Sequence, residues 1–147
     1  MGIAPRLSLV TLGVSDVLAS ERFYRALGWE VIRSQDNFRL FDLAGAYLAL
    51  FPAGELAADA GLRGQVVGPG YRGVSCAINL ESEAAVDAAF ALVAEVGGTI
   101  TKPPQNPEWG GYSGYFADPD GHAWEVAYNP GWPIGEDGRP IVSRRES

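Results

Sequence analysis

Hydrophobic and polar positions along the chain change period in the same order twice. Residues 7–14, LSLVTLGV, carry apolar side chains at the alternation of a strand. Ser15-Asp16 then offers a helix N-cap, VLASERFYRAL places Val17, Leu18, Phe23, Tyr24 and Leu27 near helical spacing, and Gly28 stops the helix. Residues 74–80, VSCAINL, repeat the strand; Ser82 caps a second helix through EAAVDAAFALVAEV, and Gly97-Gly98 ends it as a left-handed C-cap would. Phe23 and Phe90 are offset by 67 residues, Gly28 and Gly97 by 69. Each copy continues into three more strand-like runs: WEVIR, FRLFDL and YLALF in the first, TITK, GYSGYFAD and AWEVAY in the second.

A lone strand–helix–three-strand unit leaves one sheet face bare, so two such units are expected to pair. The pattern predicts an α+β fold of two paired βαβββ modules, at about residues 5–52 and 72–130, within one domain spanning 1–130. The linker, 53–71, is rich in Ala and Gly with room for one short helical turn, and residues 131–147 read as an irregular Pro- and Gly-rich tail that frays after about Val142.

Composition narrows the function classes. The 147 residues carry a net charge of −7, and the eleven Lys and Arg form no basic run, which disfavours nucleic acid and anionic membrane surfaces as partners. Cys76 is the single cysteine and sits among Val74, Ile78 and Leu80, as a buried thiol in a protein of the reducing cytoplasm would. No targeting signal or membrane-spanning run is read. His122 and Cys76 are the only histidine and cysteine, which removes multi-His and Cys-x-x-Cys zinc sites.

Residues 116–128, FADPDGHAWEVAY, carry the sharpest chemical signal. Asp118-Pro119-Asp120-Gly121 is strong turn chemistry and predicts a hairpin. In the strand after it, Ala123, Glu125 and Ala127 share one face and Trp124, Val126 and Tyr128 the other. A carboxylate flanked by alanines on a half-buried strand is costly unless it meets water, a cation or a donor, so Glu125 either faces solvent or marks a site. His122, at the turn, reads as structural or exposed; Trp124 and Trp29 read as core anchors.

With these residues in view, VTLGVSDVLASERFYRALGWEV and WGGYSGYFADPDGHAWEVAYNP resemble the vicinal oxygen chelate superfamily, which includes glyoxalase I, bleomycin-resistance proteins and extradiol dioxygenases. The resemblance spans about residues 7–130. It implies a curved mixed sheet with helices on the convex side, a concave ligand cavity, and a homodimer. Metal-dependent relatives hold a divalent ion with four positions, which fall here on Leu9, on or beside Ala49, on Val74 or Ser75, and on Glu125. Only Glu125 matches a ligand, so neither a metal nor another cofactor is expected.

Period-2 extension from those positions turns Leu7, Leu9, Thr11, Tyr47, Ala49 and Phe51 toward the cavity. The segment PPQNPEWGGYSGY adds Trp109, Tyr112 and Tyr115, as lid or wall, or as a rigid connection with Trp109 plugging the end of the sheet; Glu108 would add a second acid near Glu125. The ligand-binding set is therefore Leu9, Thr11, Tyr47, Phe51, Trp109, Tyr112, Tyr115 and Glu125. The reading is metal-independent binding of a small aromatic or cationic organic ligand. The alternative is an enzyme of lyase or isomerase type with Glu125 as general base. A metal-dependent glyoxalase or dioxygenase needs donors the sequence lacks.

Overall fold

The computed structural model describes residues 2–65, 68 and 70–144. The chain divides into two compact units, one ending at Gly68 and one following it. Both are βαβββ modules built on a four-stranded mixed sheet, so the fold is α+β.

In the first unit, β1 (Leu9–Val14) leads into α1 (Val17–Ala26), followed by β2 (Val31–Gln35), β3 (Phe38–Asp42) and β4 (Tyr47–Pro52). The sheet order is β1-β4-β3-β2, with β1 parallel to β4 and the other pairs antiparallel. Asp16 caps α1 by accepting from the Ala19 amide at 3.1 Å. At the other end Gly28, with φ +95°, turns the chain so that its amide reaches Arg25 and the Trp29 amide reaches Tyr24. These two bonds form a Schellman cap, and its usual apolar contact is present: Trp29 stacks on Tyr24 with ring centroids 5.3 Å apart.

The second unit repeats the device. β5 (Ser75–Asn79) precedes α3 (Glu83–Glu95), then β6 (Thr99–Gln105), β7 (Tyr112–Ala117) and β8 (Ala123–Tyr128), in the order β5-β8-β7-β6. Ser82 accepts from the Ala85 amide at 3.0 Å. Gly97 and Gly98 close the helix by bonds to Ala94 and Val93, the same Schellman pattern. Between the modules lies α2 (Ala53–Asp59), the helical turn expected in the linker.

Each helix is fastened to its sheet by one aromatic pair. Tyr24 meets Phe41 edge-on at 5.9 Å, and Phe90 meets Phe116 at 6.4 Å, all four rings being buried. Such pairs contribute about 0.5–1.5 kcal/mol beyond the area they remove from water. Around them Leu12, Val14, Leu48 and Leu50 fill the first core, and Val86, Val93, Trp124 and Val126 the second. Beside the first core, Glu21 accepts from Arg39 and Arg25. Burial alone would raise the Glu21 carboxyl, but the two guanidinium groups outweigh it and hold the group below its ordinary value.

Three details depart from the sequence reading. Leu18 is exposed, and Ser20 takes its place on the buried stripe of α1 with Phe23 and Tyr24, because those positions, not 18, repeat at helical period. β6 continues through Pro103 and Pro104, where a loop was expected; it lies at the sheet edge, where a missing amide costs no ladder bond, and its register shifts on both sides of Lys102. Cys76 is only half-buried. The tail after Asn129 is irregular but tied, with an isolated bridge between Ile134 and Pro140 and an Ile141 amide bonded to Pro133; residues 145–147 lie outside those described. Among the described residues no helix is long and apolar enough to cross a membrane.

Ser20 Oγ is fully buried and has no hydrogen-bond partner among the described residues. Ser20→Ala removes that orphaned group and improves helix propensity, so it is expected to raise stability by about 1 kcal/mol, read as a higher urea midpoint; a lower midpoint would show that the hydroxyl is needed. Gly114 is the opposite case: a Cβ there would stand 2.8 Å from the Phe90 ring and 2.7 Å from the Lys102 carbonyl oxygen. Gly114→Ala is expected to cost about 2–3 kcal/mol in the same measurement.

Candidate functional site

The turn between β7 and β8 sets the geometry of the site. Asp118, almost wholly buried, accepts from the amides of Asp120 at 3.0 Å and His122 at 2.8 Å, while Gly121 supplies φ +85°. Arg72 closes over this turn, donating to the Asp120 carbonyl at 3.0 Å and lying 3.1 Å from His122 Nδ1, so His122 belongs to the turn. The hairpin so fixed pairs Ala117 with Ala123 and Tyr115 with Glu125.

That register decides which side chains meet. Trp124 and Val126 are buried on the helix side, and Trp124 stacks on Phe116 at 6.3 Å. Glu125 therefore projects from the opposite face, in one cross-strand row with Ala77 and Tyr115. The next row on that face joins Asn79, Ala127 and Ser113. Ala77 and Ala127 leave space above the sheet, and a cavity of about 400 Å³ opens there, with Glu125, Asn79, Asn129, Trp109 and Trp132 completing its wall. No Lys or Arg is among these lining residues.

Two loops supply the aromatic walls. Trp109 folds back on Gly111, where a Cβ would run into the indole ring and the Tyr128 carbonyl. Asn106 pins this loop by donating to the Gly111 carbonyl at 2.9 Å and to Glu83 Oε1 at 3.0 Å. Trp132 follows an Asx turn in which Asn129 Oδ1 accepts from the Gly131 amide and the Asn129 carbonyl from the Trp132 amide, both at 2.9 Å. Trp109 and Trp132 remain 51% and 42% exposed, so each keeps free ring surface at the cavity.

Tyr115 stands opposite Glu125 across the strands. Burial first, then the nearby Glu125 carboxylate, with a smaller effect of Tyr71, push its phenol above the ordinary value. Tyr112, expected with Trp109 and Tyr115 in the lid or wall, stands elsewhere: its hydroxyl donates to Asp87 Oδ1 at 2.6 Å on α3, which places the ring on the helix side. The reason is parity, since Tyr112 and Tyr115 are an odd number of residues apart on one strand.

Leu9, Thr11, Tyr47 and Phe51 share a face of the first sheet, Leu9 pairing Tyr47 and Thr11 pairing Ala49. The described residues that line the Glu125 cavity belong to the second unit. Phe51 packs against Phe38 and lines an open depression of about 800 Å³ with α2, which sits down on Gly13. Asn79, Asn129 and Trp132 were not anticipated as site residues. Asn79 was accessible by counting two residues at a time from Ser75; Trp132 had no periodic signal, since it follows the last strand.

The repeat relates the residues of the two units to one another. The same interval separates Leu9 from Ser75, Asp16 from Ser82 and Tyr24 from Phe90, and the pairing of Ser75 with Ala123 repeats that of Leu9 with Tyr47. Ser75, not Val74, is thus the counterpart of Leu9, and Glu125 of Ala49. Leu9 and Ala49 have no donor atoms, Ser75 offers a neutral hydroxyl, and Glu125 is a single carboxylate. This donor set does not fit a divalent ion, which needs several oxygen or nitrogen ligands. Among the described residues there is no group of three or more His, Cys, Asp or Glu that could hold one.

Comparison with known proteins adds an independent line. Residues 6–126 match the profile of the Glyoxalase/Bleomycin resistance protein/Dioxygenase superfamily. Among solved structures, the chain is similar to a glyoxalase-related enzyme from Fulvimarina pelagi, at 33% identity over 96% of this chain and 100% of that one, with a TM-score of 0.85. It is also similar to a glyoxalase/bleomycin resistance protein/dioxygenase from Nocardioides, at 27% identity over 92% of this chain and 91% of that one, with a TM-score of 0.76. A lactoylglutathione lyase from Agrobacterium tumefaciens shares the fold at 21% identity over 86% of this chain and 95% of that one, with a TM-score of 0.66. No curated protein matches.

The Tyr115–Glu125 pair gives a pH test. Because the folded protein holds the Tyr115 proton more tightly than an unfolded chain would, this group's stabilising contribution is complete below the ordinary tyrosine range and is lost as pH rises through the folded value. In a Tyr112→Phe background, which removes the other raised tyrosine, Glu125→Gln is expected to lower the Tyr115 midpoint in an ultraviolet titration. An unchanged midpoint would show that the carboxylate does not act on the phenol.

Proposed function

The chain belongs to the glyoxalase/bleomycin resistance protein/dioxygenase superfamily, and on that premise we propose that it binds a small organic ligand, without a metal, in the cavity beside Glu125. One observation carries this reading: the carboxylate is set among Ala77, Ala127 and two half-exposed tryptophans, with no cation among the lining residues. A concave, largely apolar wall with a few convergent polar groups is the usual make-up of a small-molecule site. Glu125, Asn79 and Asn129 orient the ligand, and the indoles supply contact area. A polar molecule without apolar surface would leave the tryptophans unused; a purely apolar one would bury Glu125 without a partner, which is costly.

The similar Fulvimarina pelagi protein is described as a glyoxalase-related enzyme, which favours a second reading in which Glu125 accepts a proton from a bound substrate. The two readings separate at one substitution. Titration calorimetry with a panel of planar aromatics and organic amines, before and after exhaustive chelation, is expected to find binding that survives metal removal and falls at least about tenfold in Glu125→Gln and Trp109→Ala. Turnover that vanishes in Glu125→Gln with affinity retained would instead establish the base. Binding that requires a stoichiometric divalent ion would overturn both.

A further inference from the structure

We propose that the cavity takes an alkylated organic ammonium ion, with Glu125 as its counter-ion and Trp109 and Trp132 as the aromatic surfaces that receive its alkyl groups. The inference rests on the ligand-binding reading and narrows it to one chemical class. Charge supplies the first argument. Among the described lining residues Glu125 is the only acid or base, and its cross-strand neighbour Tyr115 brings no positive charge to cancel a carboxylate. An anionic ligand would meet repulsion there, and a neutral one without a donor would strip water from the carboxylate and return nothing.

The second argument is the walls. Indole is the strongest of the aromatic side chains in attracting a cation to its face, and here two indoles border one small cavity with a carboxylate between strands at its floor. Both are held in place before any ligand arrives, Trp109 by Gly111 and the Asn106 bonds, Trp132 by the Asn129 turn. Preorganised aromatic surface loses little freedom on binding.

The floor then separates alkylated from primary ammonium. A primary ammonium has three N–H donors to satisfy. Ala77 and Ala127 offer no acceptor and Asn129 Oδ1 is already bonded to the Gly131 amide, which leaves Glu125 and Asn79. A trialkylated or tetraalkylated nitrogen carries its charge on a weakly hydrated apolar surface that alanine and indole can cover. Trp132 and Asn129 lie beyond residue 126, where the family match ends.

The test uses choline and 3,3-dimethylbutan-1-ol, which have the same shape and differ by a cationic nitrogen in place of a carbon. Calorimetry and tryptophan fluorescence on the full chain are expected to show choline bound at least about tenfold more tightly, an advantage that Glu125→Gln removes. Trp132→Leu is expected to weaken choline by about fivefold or more with its circular dichroism unchanged, and Trp109→Leu serves the same purpose should the first variant misfold. Equal affinity for the two probes would overturn the ammonium class while leaving small-molecule binding intact. No binding of choline at millimolar concentration, or full binding by a folded Trp132→Leu, would also overturn it; the metal-free titration of the aromatic panel judges the broader reading separately.

Discussion

Everything that places the cavity depends on the way one aromatic ring of each helix is wedged edge-on against one ring of its sheet. Tyr24 on Phe41 and Phe90 on Phe116 occupy equivalent places in the two modules. Because these rings are buried, the helix cannot move to the other face without exposing them, and the sheet acquires a covered and an uncovered side. Strand parity does the rest. Once Phe116 and Trp124 are committed to the helix side, Tyr115 and Glu125 can only stand on the other. Gly114 lets Phe90 come close enough for the wedge to form, so a residue without a side chain is as necessary to the arrangement as the rings.

The shared scaffold makes the differences between the modules informative. Equivalent positions hold Leu9, Thr11 and Ala49 in the first and Ser75, Ala77 and Glu125 in the second. The first module keeps only the Thr11 hydroxyl at these places, and α2 rests on its Gly13. The second has one carboxylate, flanked by alanines and opposite Tyr115. A lone carboxylate cannot replace the hydration of a divalent ion, but it can balance a single positive charge or receive a single proton. The chemistry open to the second module is therefore that of one charge against a carbon-rich wall.

Much of the architecture is legible in the residues because each signal is local. Asp16 and Ser82 start helices by bonding an amide three residues on, and Gly28 and Gly97 end them by adopting positive φ. Asp118-Pro119-Asp120-Gly121 turns the chain, and the parity of Glu125 follows from the turn. What stays hidden depends on distant partners. The two prolines of β6 look like loop residues until β6 is known to be an edge strand. Tyr112 resembles Tyr115 in composition and surroundings, and only the register of β7 separates one face from the other. Ser20 reads as a neutral helix residue, and its burial is set by how α1 rolls on its sheet.

Trp132 is the sharpest instance. No periodicity leads to it, since β8 ends at Tyr128 and the chain then enters a segment of Pro and Gly. Its place comes from Asn129, which uses its side chain to fold the next residues into a turn and presents its own amide to the same cavity. One short polar side chain thereby joins the end of the last strand to an indole wall. Such an arrangement lets the wall vary independently of the scaffold: the turn lies outside the hydrogen-bonded ladder, so its residues can change without disturbing the register that aims Glu125. Selection among ligands then belongs to the irregular segments around Trp109 and Trp132, while the carboxylate that attracts them is fixed by the strands.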